Sequence, residues 1–264
     1  MKIIDTHAHI FPPKIVNIAT DAIGTFYDYP MRYTGSTEQL LESGRRAGVS
    51  RYVVFSTATT PAQVVKINNF ILAECAAHPE FIGLGTMHPE FEDYKAELDR
   101  VYAAGMRGIK LHPDFQKFYI DCEPLMKIFE YLQEKRMFLI THSGDPRHHY
   151  SDPWRVARVA KLFPRLDIIA AHFGGWGEWD VGREALAGLP NIYVDTSSTY
   201  GCAGLEPVKE GFQAFDSTHI FFGDDFPMWD HADEIAMLRS LGLDEETLAG
   251  VLGGNFERFY ARYK

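Results

Sequence analysis

The sequence has 264 residues, of which 46% are hydrophobic and 23% are charged, as is usual for a globular protein. A formal net charge of -10 without a basic stripe argues against a nucleic-acid-binding surface. Cys75, Cys122 and Cys202 are widely separated, which argues against a disulfide framework or a cysteine zinc site. We see no signal-peptide pattern and no apolar run of the roughly 18 residues that a membrane helix needs. We therefore expect a cytoplasmic protein without nucleic-acid or membrane partners.

Short apolar runs recur along the whole chain and predict eight strands. They are rich in Ile, Val and Phe, and several are apolar at successive positions, which is typical of strands buried on both faces of a parallel sheet. In chain order the predicted strands span residues 2–8, 51–57, 81–88, 107–112, 137–142, 166–172, 191–197 and 218–224.

Amphipathic segments with helical start and stop signals lie between these strands. They span residues 36–48, 61–79, 92–105, 123–135, 153–163, 180–188, 204–214 and 231–241. Strand and helix thus alternate eight times, which predicts an α/β protein with a single-domain (β/α)8 TIM barrel over residues 1–264.

Two further segments lie outside this alternation. Ile10 to Gly35 is longer than a usual loop between strand and helix, and we expect this long loop after strand 1 to lie over the barrel mouth as a lid. Residues 244–264 have helical character and predict an extra C-terminal helix packed on the outside of the barrel.

Histidines are concentrated at the predicted carboxyl ends of the strands. His7 and His9 end the first strand, and because side chains on a strand alternate, both point to one face. The eighth strand ends in Asp224 and Asp225. Active sites of such barrels lie at the carboxyl ends of the strands, so this distribution predicts the site there. The histidines at the ends of strands three to six are His88, His112, His142 and His172.

Four segments resemble the signatures of the amidohydrolase superfamily. They are DTHAH (5–9), ITHSG (140–144), AAHFGG (170–175) and FGDDFP (222–227). GIKLHPDFQ (108–116) and the DFP after strand eight are similar to the branch that includes aminocarboxymuconate semialdehyde decarboxylase and many uncharacterised hydrolases. The resemblance covers the whole chain.

The resemblance implies a metal centre. His172 matches a histidine that donates or accepts a proton in this branch, and Asp225 would be a base as well as a ligand. Asp224 stands where relatives often have Ser or Thr, so the choice between the two neighbouring carboxylates stays open. Asp5, on the same face of strand one as the first two histidines, is expected to orient a ligand imidazole. The implied ligands are His7, His9, His142 and Asp225.

Three imidazoles and one carboxylate favour Zn²⁺, and Mn²⁺ or Fe²⁺ would also fit. We expect one divalent ion, because GIKLHP resembles the mononuclear branch. The alternative is a binuclear site bridged by a carboxylated Lys110. The candidate substrate-binding residues are Lys110, His112, Arg147 and Trp176. For His112 a loop-capping role, and for Arg147 a solvated polar loop, remain the alternatives.

The leading functional hypothesis is a metal-dependent hydrolase that acts on a small cyclic or carboxylated molecule through metal-activated water. The alternative is a non-oxidative decarboxylase of a small aromatic or muconate-like acid, which would need a cation such as Arg147 to hold the carboxylate. A third hypothesis is a catalytically silent barrel that binds a ligand. We expect a small-molecule substrate and leave open whether the protein is a monomer or a homodimer.

Overall fold

The computed structural model describes residues 2–264, whose strands run parallel to one another around a ring. The third predicted strand is interrupted at Leu84, whose backbone N–H still donates to the carbonyl of Val54. The nine short strands therefore correspond to eight barrel strands, the third of which consists of two short pieces. They are β1 Ile3–His9, β2 Val49–Phe55, β3 Phe81–Gly83, β4 Gly85–Thr86, β5 Gly108–Leu111, β6 Phe138–Thr141, β7 Ile168–Ala170, β8 Ile192–Asp195 and β9 Ile220–Phe221.

Backbone hydrogen bonds join the last strand, β9, and the residues that follow it to the first strand, β1. Thr6 N–H donates to the carbonyl of Phe222 at 2.9 Å, and Asp225 N–H donates to the carbonyl of His7 at 2.9 Å. Farther along, His9 N–H donates to the carbonyl of Phe226 at 2.8 Å. The (β/α)8 barrel is therefore confirmed, and its closure places Asp225 beside the first histidines.

Helices surround the ring, and each predicted outer helix is present. The second begins where the Ser36 hydroxyl accepts from the N–H of Gln39 and ends at Gly48, whose φ of 80° is left-handed, as at many helix ends. Within residues 2–264, no helix has the length and apolar character needed to cross a membrane. The helices are α1 Val16–Tyr27, α2 Thr37–Ala47, α3 Val64–Ala77, α4 Tyr94–Ala103, α5 Pro113–Gln116, α6 Glu123–Lys135, α7 Pro153–Leu162, α8 Trp179–Leu186, α9 Thr199–Ala203, α10 Leu205–Ala214, α11 His231–Ser240, α12 Glu245–Ala249 and α13 Asn255–Ala261.

The segment after β1 lies over the barrel mouth, as expected, but the prediction of a loop was wrong. It contains α1, a helix of 12 residues. The hydroxyl of Tyr27, the last residue of α1, lies 2.6 Å from His112 Nε2. The lid is thus an ordered helix in contact with residues at the carboxyl ends of the strands.

The predicted extra C-terminal helix is present as α13, but it covers the amino end of the barrel and does not pack against the outer wall as we expected. Phe256 and Phe259 of α13 are buried with inward-facing strand residues such as Phe138 and Phe221. At Gly253, just before α13, a Cβ would lie 2.5 Å from the carbonyl oxygen of Lys2. A glycine therefore lets the C-terminal segment approach β1 closely and plug the amino end of the barrel.

Candidate active site

His7 is held in one tautomer by a carboxylate that sequence reasoning did not single out. Its Nδ1 lies 2.8 Å from Asp195 Oδ2, and because a carboxylate only accepts, Nδ1 carries the proton. Nε2 then presents a lone pair to the barrel mouth. Burial lowers the pKa of His7 well below its usual value, so the ring stays neutral. This is the arrangement of a metal-ligating histidine oriented by an acid.

Asp195 is thus the orienting acid, and the expectation for Asp5 was wrong. Asp5 Oδ1 accepts instead from the backbone N–H groups of His7 and Asp224, at 2.9 and 3.0 Å, and Oδ2 contacts His231. Asp5 therefore ties the backbone of β1 to the loop after β9. The only sequence signal for Asp195 was its place as a polar residue at the carboxyl end of a buried run.

Three of the expected ligands come together. His7, His9 and Asp225 offer ligand atoms that all lie within 4.8 Å of one another. Asp225 Oδ1 is 3.4 Å from His7 Nε2 and 3.7 Å from His9 Nε2, while its Oδ2 accepts from the Ser198 hydroxyl. Asp224 is buried behind this group, with Oδ2 3.7 Å from His231 Nδ1. The geometry therefore favours Asp225 over Asp224 as the carboxylate ligand.

His142 lies next to this group but outside it, which differs from the expected four-ligand set. Its ligand atom falls in another group, with His112 and Asp114. The rings of His112 and His142 are stacked with centroids 4.1 Å apart, and this stacking holds His142 toward the β5 side of the mouth. Its role as a ligand stays a prediction.

A chain of hydrogen bonds assigns the tautomers of His172 and His142. His172 Nδ1 is 3.0 Å from the carbonyl of Ser197 and must donate to it. Burial lowers the pKa of His172 to about 4, so its Nε2 is unprotonated and accepts from His142 Nδ1 at 3.1 Å. The lone pair of His142 then lies on Nε2, which is buried and has no hydrogen-bond partner among residues 2–264.

The donor set fits a divalent metal. His7, His9 and His142 all have pKa values lowered by burial, and neutral imidazoles are the form that binds metal. The unpartnered Nε2 of His142 is the kind of buried polar atom that a bound ion satisfies. Together with Asp225, these nitrogens match the ligand types that Zn²⁺ prefers.

Lys110 is fully buried beside the same ligands. Its Nζ lies 3.0 Å from His7 Nε2 and 4.8 Å from the centre of the Phe55 ring. Burial lowers the pKa of Lys110 to about 8. The amine of Lys110 therefore lies beside the lone pair of His7 Nε2 that would bind a metal. A cation bound there would repel the protonated form of the amine.

Backbone strain is concentrated around these residues. His172, Phe173, Ser198 and Asp225 have φ values of 61°, 49°, 56° and 65°, a left-handed region that non-glycine residues rarely adopt. Strained residues of this kind cluster at functional sites because the surrounding structure holds them in place.

A cavity of about 610 Å³ opens above the histidines. Its floor includes His7, His9, His112, His172 and Asp225, and helix α1 forms one wall. His112 also caps α5, because its Nδ1 accepts from the N–H of Phe115. Lys110, Arg147 and Trp176 are not among the residues that line the cavity.

Arg147 is committed elsewhere, so the structure does not place it to grip a substrate anion. Its Nε and Nη2 donate to the two oxygens of Asp145 at 2.9 and 2.7 Å, and Nη1 donates to the carbonyl of Phe26 at 2.8 Å. Trp176 packs behind the lid, with its ring 4.9 Å from that of Tyr27 and the Arg147 guanidinium 4.9 Å above it. Both residues support the lid, and substrate contact stays a prediction for them.

Comparison with known proteins identifies the family. The amidohydrolase family matches residues 4–262. The chain belongs to the amidohydrolase family. No curated protein sequence matches this family member closely enough to suggest a particular activity.

Several solved structures superpose on almost the whole chain. An uncharacterised TIM-barrel protein from Bordetella bronchiseptica has 18% identity and a TM-score of 0.79, covering 100% of this chain and 99% of the other. A dihydroxybenzoic acid decarboxylase from Polaromonas sp., with bound manganese and 2-nitroresorcinol, has 14% identity and a TM-score of 0.75, covering 100% and 98%. A Pseudomonas putida protein assigned as a 2-pyrone-4,6-dicarboxylic acid hydrolase has 18% identity and a TM-score of 0.70, covering 98% and 97%. At these identities the likeness establishes the fold.

Proposed function

We propose that this protein is a metal-dependent hydrolase. The observation that carries the proposal is the group of His7, His9 and Asp225 at the floor of a cavity large enough for a small molecule, with His172 facing the same space. When bound, a divalent metal supplies Lewis acidity, which acidifies water and polarises a carbonyl oxygen. Zn²⁺ is the metal we expect, and Mn²⁺ is the first alternative because one structural neighbour contains it.

The residues of the chain have separate roles in this proposal. Asp225 contributes charge through Oδ1, while Ser198 fixes Oδ2. His172 takes up and returns a proton at Nε2 once that atom releases its hydrogen bond from His142 Nδ1, because its Nδ1 is held by the carbonyl of Ser197. Burial lowers the pKa of His172 to about 4 and Asp195 offsets this only in part, so the resting ring is neutral and begins as a proton acceptor. General acid-base groups of this kind contribute about 10²- to 10⁴-fold.

A non-oxidative decarboxylase is the second candidate. Lys110 favours it, since a buried amine beside His7 could pair with a carboxylate close to the metal. Against it, the candidate arginine is already bound to Asp145 and Phe26. A decarboxylase must hold a substrate carboxylate, whereas a hydrolase of a neutral ester or amide does not, so the committed arginine supports the hydrolase.

Metal analysis and product analysis test the proposal together. Protein purified without chelator should contain one divalent metal per chain, and two metals with a carboxylated Lys110 would overturn the mononuclear choice. Chelated and reloaded samples are then assayed with panels of esters, lactones and amides in water labelled with heavy oxygen. Metal-dependent incorporation of label supports hydrolysis, and carbon dioxide release from aromatic acids without incorporation contradicts it.

Two variants separate proton transfer from metal binding. His172→Asn should keep the metal, because His172 is not a ligand in this proposal, and should lose about 10²- to 10⁴-fold in activity with its proton-transfer group. His142→Asn should lose metal and activity together. Equal loss of metal from both variants would show that His172 is a ligand and that its assigned role is wrong.

A further inference from the structure

Helix α1 presents an apolar stripe to the cavity instead of to the protein core. Ile15, Ile18, Ala19, Ala22 and Ile23 all line the cavity, and their spacing is that of one helix face. Ile15 is 47% exposed and Ile18 is 71% exposed, and Thr20 is the one buried residue of α1. This apolar stripe lies outside the hydrophobic core and faces a candidate active site, which indicates that its partner is the substrate.

Charge is distributed unevenly along the same cavity. Among the lining residues the lysines are Lys14 and Lys66, and both are exposed, whereas the floor residues His7, His9, His112 and His172 are buried. Between the metal site at the floor and the two lysines, no lining side chain within residues 2–264 is cationic, so an anion in the middle of the cavity would lose its hydration without a charged side chain beside it. An anion at the mouth would meet the two lysines in water.

We infer that the substrate is an apolar ester, lactone or amide whose uncharged body lies along α1 and whose far end carries at most one anion, held at the mouth by Lys14 and Lys66. This inference rests on the proposed hydrolytic function. It replaces the expectation of a small cyclic or carboxylated molecule with a larger apolar one, since about 610 Å³ lies within the roughly 300–1,000 Å³ range of pockets for drug-sized ligands.

The reaction balances with water alone. The water oxygen joins the acyl carbon, the bond from that carbon to the alcohol oxygen or amine nitrogen breaks, and the leaving atom takes the proton. The products are a carboxylic acid and an alcohol or amine. No oxidant or reductant is required, and the acid is formed at the floor, away from the apolar stripe.

Binding of a neutral fluorescent probe tests the apolar stripe without relying on catalysis. The metal-loaded protein should bind N-phenylnaphthylamine, and Ala22→Asp should weaken that binding by about tenfold or more, because it puts a charge on the stripe. Asn17→Asp is the matched control: it adds the same charge on α1 at an exposed residue that does not line the cavity. Circular dichroism checks that both variants fold. Unchanged probe binding in Ala22→Asp, or none in the wild type, would overturn the inference.

Turnover of nitrophenyl acetate and nitrophenyl octanoate tests the substrate class. We expect the octanoate to be preferred and Ala22→Asp to remove that preference while sparing the acetate. Lys14→Gln combined with Lys66→Gln should raise the KM for the mono-nitrophenyl ester of suberic acid, whose far end is a carboxylate, and leave binding of the neutral probe unaffected. Equal rates for the two esters would contradict the substrate class. Probe binding as described but no hydrolysis of any ester would refute the hydrolase and still support an apolar ligand.

Discussion

At the residue scale, a metal site depends as much on the groups that orient its ligands as on the ligands themselves. Asp195 fixes the proton of His7 on Nδ1, and it also accepts the backbone N–H of His172 through Oδ1 at 3.0 Å. One carboxylate therefore positions both a proposed ligand and the proposed proton-transfer residue. Replacing Asp195 should therefore lower the metal affinity more than it lowers the stability of the fold.

Asp195→Asn should lower metal affinity by about 10- to 100-fold, the usual effect of removing an orienting acid. The amide can still accept, but it supplies no charge to His7. Competition with a chromophoric chelator measures the affinity. The control is Asp167→Asn, which removes a carboxylate near Arg262, just before β7 and away from the carboxyl ends of the strands. Equal affinities in wild type and Asp195→Asn would show that His7 needs no orienting acid.

The neighbouring acids should differ sharply when each is replaced. Asp225→Asn should abolish turnover and weaken metal retention, since it removes the anionic group 3.4 Å from His7 Nε2. Asp224→Ser should be much milder, because Asp224 lies behind the ligand group, with its Oδ2 3.7 Å from His231 Nδ1, and burial raises its pKa. Metal content and activity are measured on the same samples. The reverse order of severity would identify Asp224 as the ligand.

At the scale of single elements, α1 is attached mainly at its C-terminal end. Arg147 bonds the carbonyl of Phe26 and stacks on the rings of Phe26 and Trp176, while Asp145 holds the guanidinium from below. Among residues 2–264, no comparable set of hydrogen bonds holds the N-terminal end of α1, where Ile15 and Ile18 are exposed. The lid should therefore open from its N-terminal end.

Arg147→Gln should loosen α1, because glutamine cannot reproduce the paired bonds to Asp145 or the stacking. We expect amide hydrogen exchange over residues 16–27 to accelerate by about tenfold, since local opening sets exchange rates. The matched control is Arg155→Gln, which breaks an ion pair with Asp121 on the α7 side of the molecule. Exchange in α1 that stays as slow as in the wild type would show that Arg147 does not latch the lid.

At the scale of the whole molecule, the sequence predicts what periodicity and burial specify. Buried apolar runs predict the barrel strands, and the alternation of side chains along a strand places His7 and His9 on one face. The helix α1 was missed because its stripe faces a cavity and Ile15 at its start makes no side-chain cap. Sequence reasoning missed the role of Asp195, because a single acidic residue at the end of a strand forms no recognisable motif. The position of α13 was not predicted, because the surface on which Phe256 packs is decided by tertiary contacts and not by the local sequence pattern.

The plug formed by α13 leads to the last prediction, which concerns stability rather than activity. Phe259 is 3% exposed, and its ring centre lies 4.7 Å from that of Tyr193 and 5.3 Å from that of Phe221. Phe259→Ala should lower the free energy of unfolding by about 3–5 kcal/mol, because it leaves a cavity inside the barrel. Urea unfolding followed by circular dichroism measures this loss.

Leu162→Ala, at a residue that is 54% exposed, is the control and should change the free energy of unfolding by no more than about 0.5 kcal/mol. Metal affinity of the folded Phe259→Ala protein should be unchanged, since the plug fills the amino end of the barrel and the ligands lie at the carboxyl ends of the strands. A small loss of stability would mean that α13 packs peripherally, as the sequence first suggested. A loss of metal affinity in the folded variant would mean that the two ends of the barrel are coupled through the strands.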